Sequence, residues 1–364
     1  MIRVPVTTAS RSYEVLIGSG SLEHAGELLA NLMASRQAFL VTVPPVQKRW
    51  AKILVRSLTA AGIKTMLLEM PDGERAKRLS TLEKLAEQLV HSGADRSATL
   101  IALGGGVVGD VTGFLASIYM RGIDVIQIPT TVLAQVDAAI GGKTAVNLVT
   151  GKNLLGTFHQ PRAVLVDPEV LKTLPPREYR AGLYESLKCG IIGDPGLFRL
   201  FEEKHKEILT REPEVIEKVI ADSVRLKASV VSADEREGGL RQVLNLGHTI
   251  GHALEAETGY KSLLHGEAVG WGLVAATYIS LSIGKLDSVT TGRIMNGVLG
   301  LGELPRLNVK TANILKRLKF DKKTRQGIVH FILPREIGKV EITSDVPEIA
   351  VRTALEEMQK LARN

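Results

Sequence analysis

Five strand-like apolar runs punctuate the first half of the chain: QAFLVTV (37–43), KTMLLEM (64–70), ATLIALG (98–104), VIQIP (125–129) and AVLVD (163–167). Amphipathic stretches over Val46–Ala61, Lys77–Ser92 and Val107–Tyr119 separate several of them. Near-continuous apolar strands alternating with helices predict a parallel sheet covered on both faces. A further pair, VPVT and YEVLIGSG near the N-terminus, is expected at one edge of that sheet.

From about Glu178 the period lengthens. Helices are predicted over Arg180–Gly193, Pro195–Leu209, Glu214–Ser232, Leu240–Gly259, Gly266–Gly284 and Thr311–Phe320, several opening near a proline or an acid. One alternating run, GIVHFILPREIGK (327–339), reads as a hairpin within this helical half. The expected division is an α/β domain over 1–178 and a helical domain over 179–364, cut at LPPREY.

With 45% hydrophobic and 23% charged residues in 364, the chain is a globular protein, its core mostly aliphatic because aromatics reach only 4%. The net charge of +7 invites a nucleic-acid partner, but the cations are interleaved with acids, as in LEKLAEQLVH and FEEKHKEIL. That pattern makes solvated faces rather than a basic stripe, and favours an anionic small molecule over nucleic acid. Cys189 is the single cysteine, which fits a reducing compartment and no disulfide framework. The N-terminus lacks a signal-peptide pattern, and the most apolar stretch, Thr99–Ile118, is interrupted by five glycines and Asp110. A cytoplasmic protein with no membrane partner is expected.

The candidate chemistry begins at LIALGGGVVGDVTGF (100–114), an apolar strand running through three glycines into a helix. Such a turn lets backbone N–H groups approach an anion, commonly a pyrophosphate. It matches neither the dinucleotide fingerprint nor a P-loop ending, so the residues alone leave a nucleotide site and a tight strand-to-helix turn both open. Asp110 lies in the first turns of that helix. Two more glycine-flanked polar segments, IGGKTAVN (140–147) and GKNLLGTFHQP (151–161), carry Lys143, Lys152 and Asn153 toward a shared pocket.

NLGHTIGHALE (245–255) places His248 and His252 one helical turn apart, on one face. His265 opens a later helix, and Glu185 is an acid in an apolar helix with Lys188 three residues on. A catalytic zinc uses three protein ligands and an open position, so Glu185, one of the two neighbouring histidines and His265 suffice. Spacing alone leaves open a metal site or a hydrogen-bonded core, and either His248 or His252 as the ligand.

These residues lie in a longer series: DGERAK (72–77), GGGVVGD (104–110), YMRG (119–122), IPTTVLAQVDAAIGGKTAVN (128–147), GKNLLGTFHQP (151–161), GLYESLK (182–188), LRQVLNLGHTIGHALE (240–255), HGEAVGWG (265–272) and DKK (321–323). Taken in order, they resemble the 3-dehydroquinate synthases over nearly the full length. The resemblance implies an N-terminal α/β domain with a Rossmann-like parallel sheet that binds NAD. It implies a mostly α-helical C-terminal domain that binds a divalent metal, zinc or else cobalt. Homodimers are common in the family.

Carried over by position, Glu185, His248 and His265 become the metal ligands. Asp72, Glu74, Lys77, Gly105, Gly106, Val107, Asp110, Thr130, Thr131, Asp137 and Lys152 would contact the dinucleotide. Arg121, Asp137, Lys143, Lys152, Asn153, Lys188, Lys227, Arg241, Asn245, His252, Lys322 and Lys323 would bind the substrate. Among them Lys143, Lys188, Arg241, Asn245 and His252, with Glu237, form the expected catalytic group.

The implied reaction turns 3-deoxy-D-arabino-heptulosonate 7-phosphate into 3-dehydroquinate and phosphate. It runs by transient oxidation at C5, β-elimination, re-reduction and intramolecular aldol closure, with no net redox change. Related activities set the alternatives: aminodehydroquinate synthase, other sugar-phosphate cyclases, and a metal-dependent polyol-phosphate dehydrogenase. Asn245, His252 and the Lys322/Lys323 pair favour the carboxylate-bearing heptulosonate, since valiolone-type members tend to lose them. Val43 stands where the family often has an acid or amide to bind the adenosine ribose, a bond Val43 cannot make.

Overall fold

The structure is a computed structural model that describes residues 1–320 and 329–362. The chain divides by packing into two compact units, Met1–Leu174 with Ile216–Arg236, and Pro175–Val215 with Glu237–Asn364.

The first unit is built on nine strands: β1 (Ile2–Thr7), β2 (Ser12–Ile17), β3 (Gln37–Thr42), β4 (Lys64–Glu69), β5 (Thr99–Gly104), β6 (Asp124–Pro129), β7 (Lys143–Leu148), β8 (Gly151–Phe158) and β9 (Ala163–Val166). Seven form one sheet in the order β1-β2-β9-β6-β5-β3-β4. The β1–β2 pair is antiparallel, from Ile2 opposite Ile17 to Thr7 opposite Ser12; the other pairs are parallel. Every residue of β5 and β9 is buried, as expected where both faces are covered. From β3 the chain steps outward to β4, then returns across β3 to β5 and continues away on the other side. The strand order therefore reverses between β3 and β5, and ligands of such sheets bind beyond the carboxyl ends of the strands at that switch point. The glycine turn after β5 lies there, ahead of the helix Gly106–Ile118.

The two glycine-flanked polar segments form the antiparallel hairpin β7–β8. Their glycines serve the pairing: a Cβ on Gly156 would stand 2.0 Å from the Thr144 carbonyl oxygen. Gly141 and Gly142 have φ of 93° and 67°, a turn most side chains resist.

The helix Pro213–Ala233 was expected in the helical half, yet from Ile216 onward it packs with the sheet unit. Its side chains explain the difference. Ser232 accepts from the Thr7 amide at 3.0 Å, Glu217 from the Ser19 amide at 3.1 Å, and Lys227 pairs with Asp137. Beyond the helix end, Glu235 accepts from Gln160 Nε2 at 2.9 Å.

In the second unit the helices Pro176–Gly193, His248–Glu257 and His265–Ser282 pack together, with the hairpin β10 (Phe331–Glu336) and β11 (Lys339–Thr343). The hairpin turns at Ile337–Gly338, so it runs later than the 327–339 stretch suggested. Leu240–Gly259 is not one helix. A 3-10 turn over Leu240–Asn245 ends before Gly247, whose φ of 78° breaks the chain and makes His248 a first helical residue. Among the described residues no helix is long and apolar enough to cross a membrane.

Three missing side chains bring those helices close. A Cβ on Gly266 would lie 1.8 Å from the Ala181 carbonyl oxygen, on Gly272 1.8 Å from that of Gly247, and on Gly251 2.9 Å from that of Ala268. Replacing Gly272 by alanine should therefore force backbone apart and lower stability by about 3 kcal/mol in a denaturant titration. Gly292, in the helix Ser288–Gly300, has open space around it, and its alanine variant should gain up to about 1 kcal/mol in the same titration.

Candidate active site

Each unit gathers a polar cluster of its own. In the first, Lys77 is buried at 4% exposure and donates to both Asp110 and Asn153. Asn147 donates to Glu74 Oε1 at 2.7 Å and accepts from the Asn153 amide at 2.8 Å, while Lys152 Nζ stands 3.8 Å from Glu74. Burial pushes the Asp110 carboxyl above its ordinary value, and the Lys77 charge offsets part of that. This network ties the turn Glu74–Ala76, the glycine-loop helix and the β7–β8 hairpin together. Glu74, Lys77, Asp110, Lys152 and Asn153 are thus assembled at the glycine end of the sheet.

Thr130 donates its amide to the Gly104 carbonyl at 2.9 Å, and the Thr131 methyl faces Gly105. Gly106 has no left-handed φ, and its missing Cβ would meet only Ala138 at an ordinary 3.4 Å. Neither conformation nor packing demands glycine there. Val107 lies in the first turn of the helix. Asp72 is exposed and accepts from the Gly73 amide at 2.8 Å, outside the network. Val43 is buried among the aliphatic core residues.

Backbone strain marks several of these positions. Six described non-glycine residues have positive φ, and Arg121 (72°), Asn153 (54°) and Glu237 (59°) are three of them. Strained non-glycine backbone tends to gather at functional sites. Lys143 begins β7 and is exposed, as is Arg121. Lys322 and Lys323 lie outside the described residues.

In the second unit one ligand atom each from Glu185, His248 and His265 falls within a 4.8 Å group. Glu185 Oε1 stands 3.5 Å from His248 Nε2 and 3.4 Å from His265 Nε2. Ligands about 2.0–2.1 Å from a tetrahedral zinc lie about 3.3–3.4 Å apart, so these separations match donors arranged around an ion. Neither Glu185 oxygen accepts a well-directed hydrogen bond, although the side chain is 1% exposed. Lys188, also at 1%, rests against Oε2.

Burial alone would raise the Glu185 carboxyl, but Lys188 and His265 outweigh it and hold it at about 2. Burial would lower His265, yet Glu185 and Glu255 push it up to about 10. Surroundings that favour an imidazolium so strongly favour a cation at the same place. The His248 Nδ1 faces the Leu246 carbonyl at 3.1 Å, which leaves Nε2 for the centre. Its neighbour His252 sits 5.3 Å away, centroid to centroid, and joins a second group with Glu255 and His265. Arg241, 1% exposed, lies on the 3-10 turn, where Asn245 donates to Glu237 at 2.7 Å.

Two residues of these clusters were not singled out from sequence. Glu255 had a signal, being an acid three residues after His252 in an apolar helix. Asn147 had none that distinguishes it from an ordinary strand residue.

The fold is that of the sugar-phosphate cyclases. One solved relative is the 2-epi-5-epi-valiolone synthase ValA from Streptomyces hygroscopicus subsp. jinggangensis 5008 with NAD+ and Zn2+ bound. It is 30% identical, with a TM-score of 0.88 over 97% of this chain and 98% of that one. A 2-deoxy-scyllo-inosose synthase with carbaglucose-6-phosphate, NAD+ and Co2+ matches at 26% identity and a TM-score of 0.85, over 98% and 99%. Within that class, the family models for the N-terminal and C-terminal parts of 3-dehydroquinate synthase match residues 67–181 and 182–324. A 3-dehydroquinate synthase of Koribacter versatilis (strain Ellin345) is 55% identical over 100% of this chain and 99% of its own. The chain belongs to the 3-dehydroquinate synthase family.

The Glu185→Gln variant keeps the shape of the site but loses the carboxylate charge. Metal analysis after gel filtration should find its zinc content falling from about one per chain to near zero.

Proposed function

We propose that the protein converts 3-deoxy-D-arabino-heptulosonate 7-phosphate to 3-dehydroquinate and phosphate. The carrying observation is the 55% full-length identity to a 3-dehydroquinate synthase in a chain whose Glu185, His248 and His265 converge. The fold does not choose the ring product, since synthases of other rings share it. The choice rests on that identity and on the retained Asn245 and His252.

Glu185, His248 and His265 hold the divalent ion. Gly105, Gly106, Asp110, Lys77, Glu74, Thr130 and Thr131 hold the dinucleotide. When bound, the dinucleotide supplies a reversible oxidation at C5 and the ion polarises the oxygen on that carbon. The chain's own side chains do the remainder. Lys188 and Arg241, both almost wholly buried, present fixed positive charge to a substrate that carries a phosphate and a carboxylate. Lys188 also keeps Glu185 ionised, the form a metal requires.

Glu237 orients the Asn245 amide through its hydrogen bond, so the carbonyl end of that amide is directed away from the carboxylate. Asp137 pairs with Lys227 on the helix Pro213–Ala233, which fixes both for polar contact with substrate. His252, one turn from His248, faces the substrate phosphate or relays a proton in this reading. The same reading includes a cytoplasmic setting and a homodimer, supported by the lone buried Cys189 and by the family; light scattering reads the second.

The purified protein, given the heptulosonate phosphate, catalytic NAD and zinc, should release one phosphate per substrate and form 3-dehydroquinate without accumulating NADH. Steady NADH accumulation would instead identify a polyol-phosphate dehydrogenase. A preference for the amino analogue in parallel assays would identify an aminodehydroquinate synthase.

A further inference from the structure

We infer that Glu255 is a positioning residue of the metal centre: it accepts the Nδ1–H of His265 and thereby presents Nε2 of that ring to the ion. The inference rests on the reading that Glu185, His248 and His265 hold the metal.

Glu255 is 4% exposed and lies on the helix His248–Glu257. His248, His252 and Glu255 fall at i, i+4 and i+7, one stripe of that helix. Its Oε2 stands 3.3 Å from His265 Nδ1, while the other ring nitrogen stands 3.4 Å from Glu185. A neutral imidazole has one N–H and one lone pair. With the N–H directed at Glu255, the lone pair falls on Nε2, on the side of Glu185.

The two ligand rings are therefore set in the same tautomer by different partners. His248 is held by the Leu246 carbonyl and His265 by a carboxylate. A carboxylate behind a ligand histidine fixes the ring and strengthens its donor nitrogen, and losing such a partner weakens metal binding by about 10- to 100-fold. Glu255 also ties two histidine-bearing helices together, since His265 opens the helix His265–Ser282.

Two measurements test this. Metal-stripped wild type and Glu255→Ala are titrated with zinc against a chromophoric chelator, and with cobalt(II) followed by its d–d absorption. The variant should bind zinc about 10- to 100-fold more weakly, with a shifted cobalt band. Independently, histidine-selective 15N spectra of zinc-loaded wild type should show His265 metallated at Nε2 with a solvent-protected proton on Nδ1; this needs no variant to fold.

Affinity within twofold of wild type, an unchanged cobalt band despite a lower melting temperature, or metal on Nδ1 of His265 overturns the inference. A wild type that takes up no zinc, or Glu185→Gln binding it as tightly as wild type, removes the centre itself and the inference with it.

Discussion

Close backbone approach is the constraint on which the second unit depends. Glu185, His248 and His265, from three chain segments, converge within 4.8 Å only because the segments come nearer than ordinary side chains permit. Here the helix His265–Ser282 meets its neighbours through Gly266, Gly251 and Gly272, each without room for a Cβ. Gly266 follows His265, Gly247 precedes His248, and Ala181 lies one turn before Glu185. The points of closest approach thus flank Glu185, His248 and His265 themselves, and positioning and packing are one problem solved by the same residues.

That arrangement also explains why ionised side chains persist in the interior. Glu185 and Lys188 are each 1% exposed, and burial without a partner would be costly for either. Together with two imidazoles they form a compact set in which each charge is answered. The first unit uses the same device with Lys77 between Asp110 and Asn153. There it links three separate elements at the end of the sheet where strand order reverses.

Much of this was legible in the sequence, because the signals were periodic or local. Unbroken apolar runs gave the parallel strands, and the strand–glycine–helix transition at 100–114 gave the switch-point turn. What was not legible has physical causes. The pairing of β7 with β8 does not show in the local composition, where the glycines that permit it are only flanking residues. Leu240–Gly259 looks like one helix because the break at Gly247 depends on a left-handed φ that residue identity permits without requiring. The chain position of Ile216–Arg236 says helical half, whereas its partners Thr7, Ser19 and Gln160 are remote in sequence. Spacing could not separate His248 from His252; the difference lies in which ring meets Glu185, a matter of tertiary geometry. The Val43 side chain is spent on the core.

The interleaving of the two units has a consequence for how the molecule is made. Domains generally fold as units while the chain emerges from the ribosome, N-terminal part first. The sheet unit here is not complete at Leu174, because residues Ile216–Arg236 belong to it. Until residue 236 has been synthesised, the sites that receive Glu217, Lys227, Ser232 and Glu235 wait unfilled. A nascent chain thus exposes an unfinished surface throughout translation of the intervening helices, the interval in which a chaperone has something to hold.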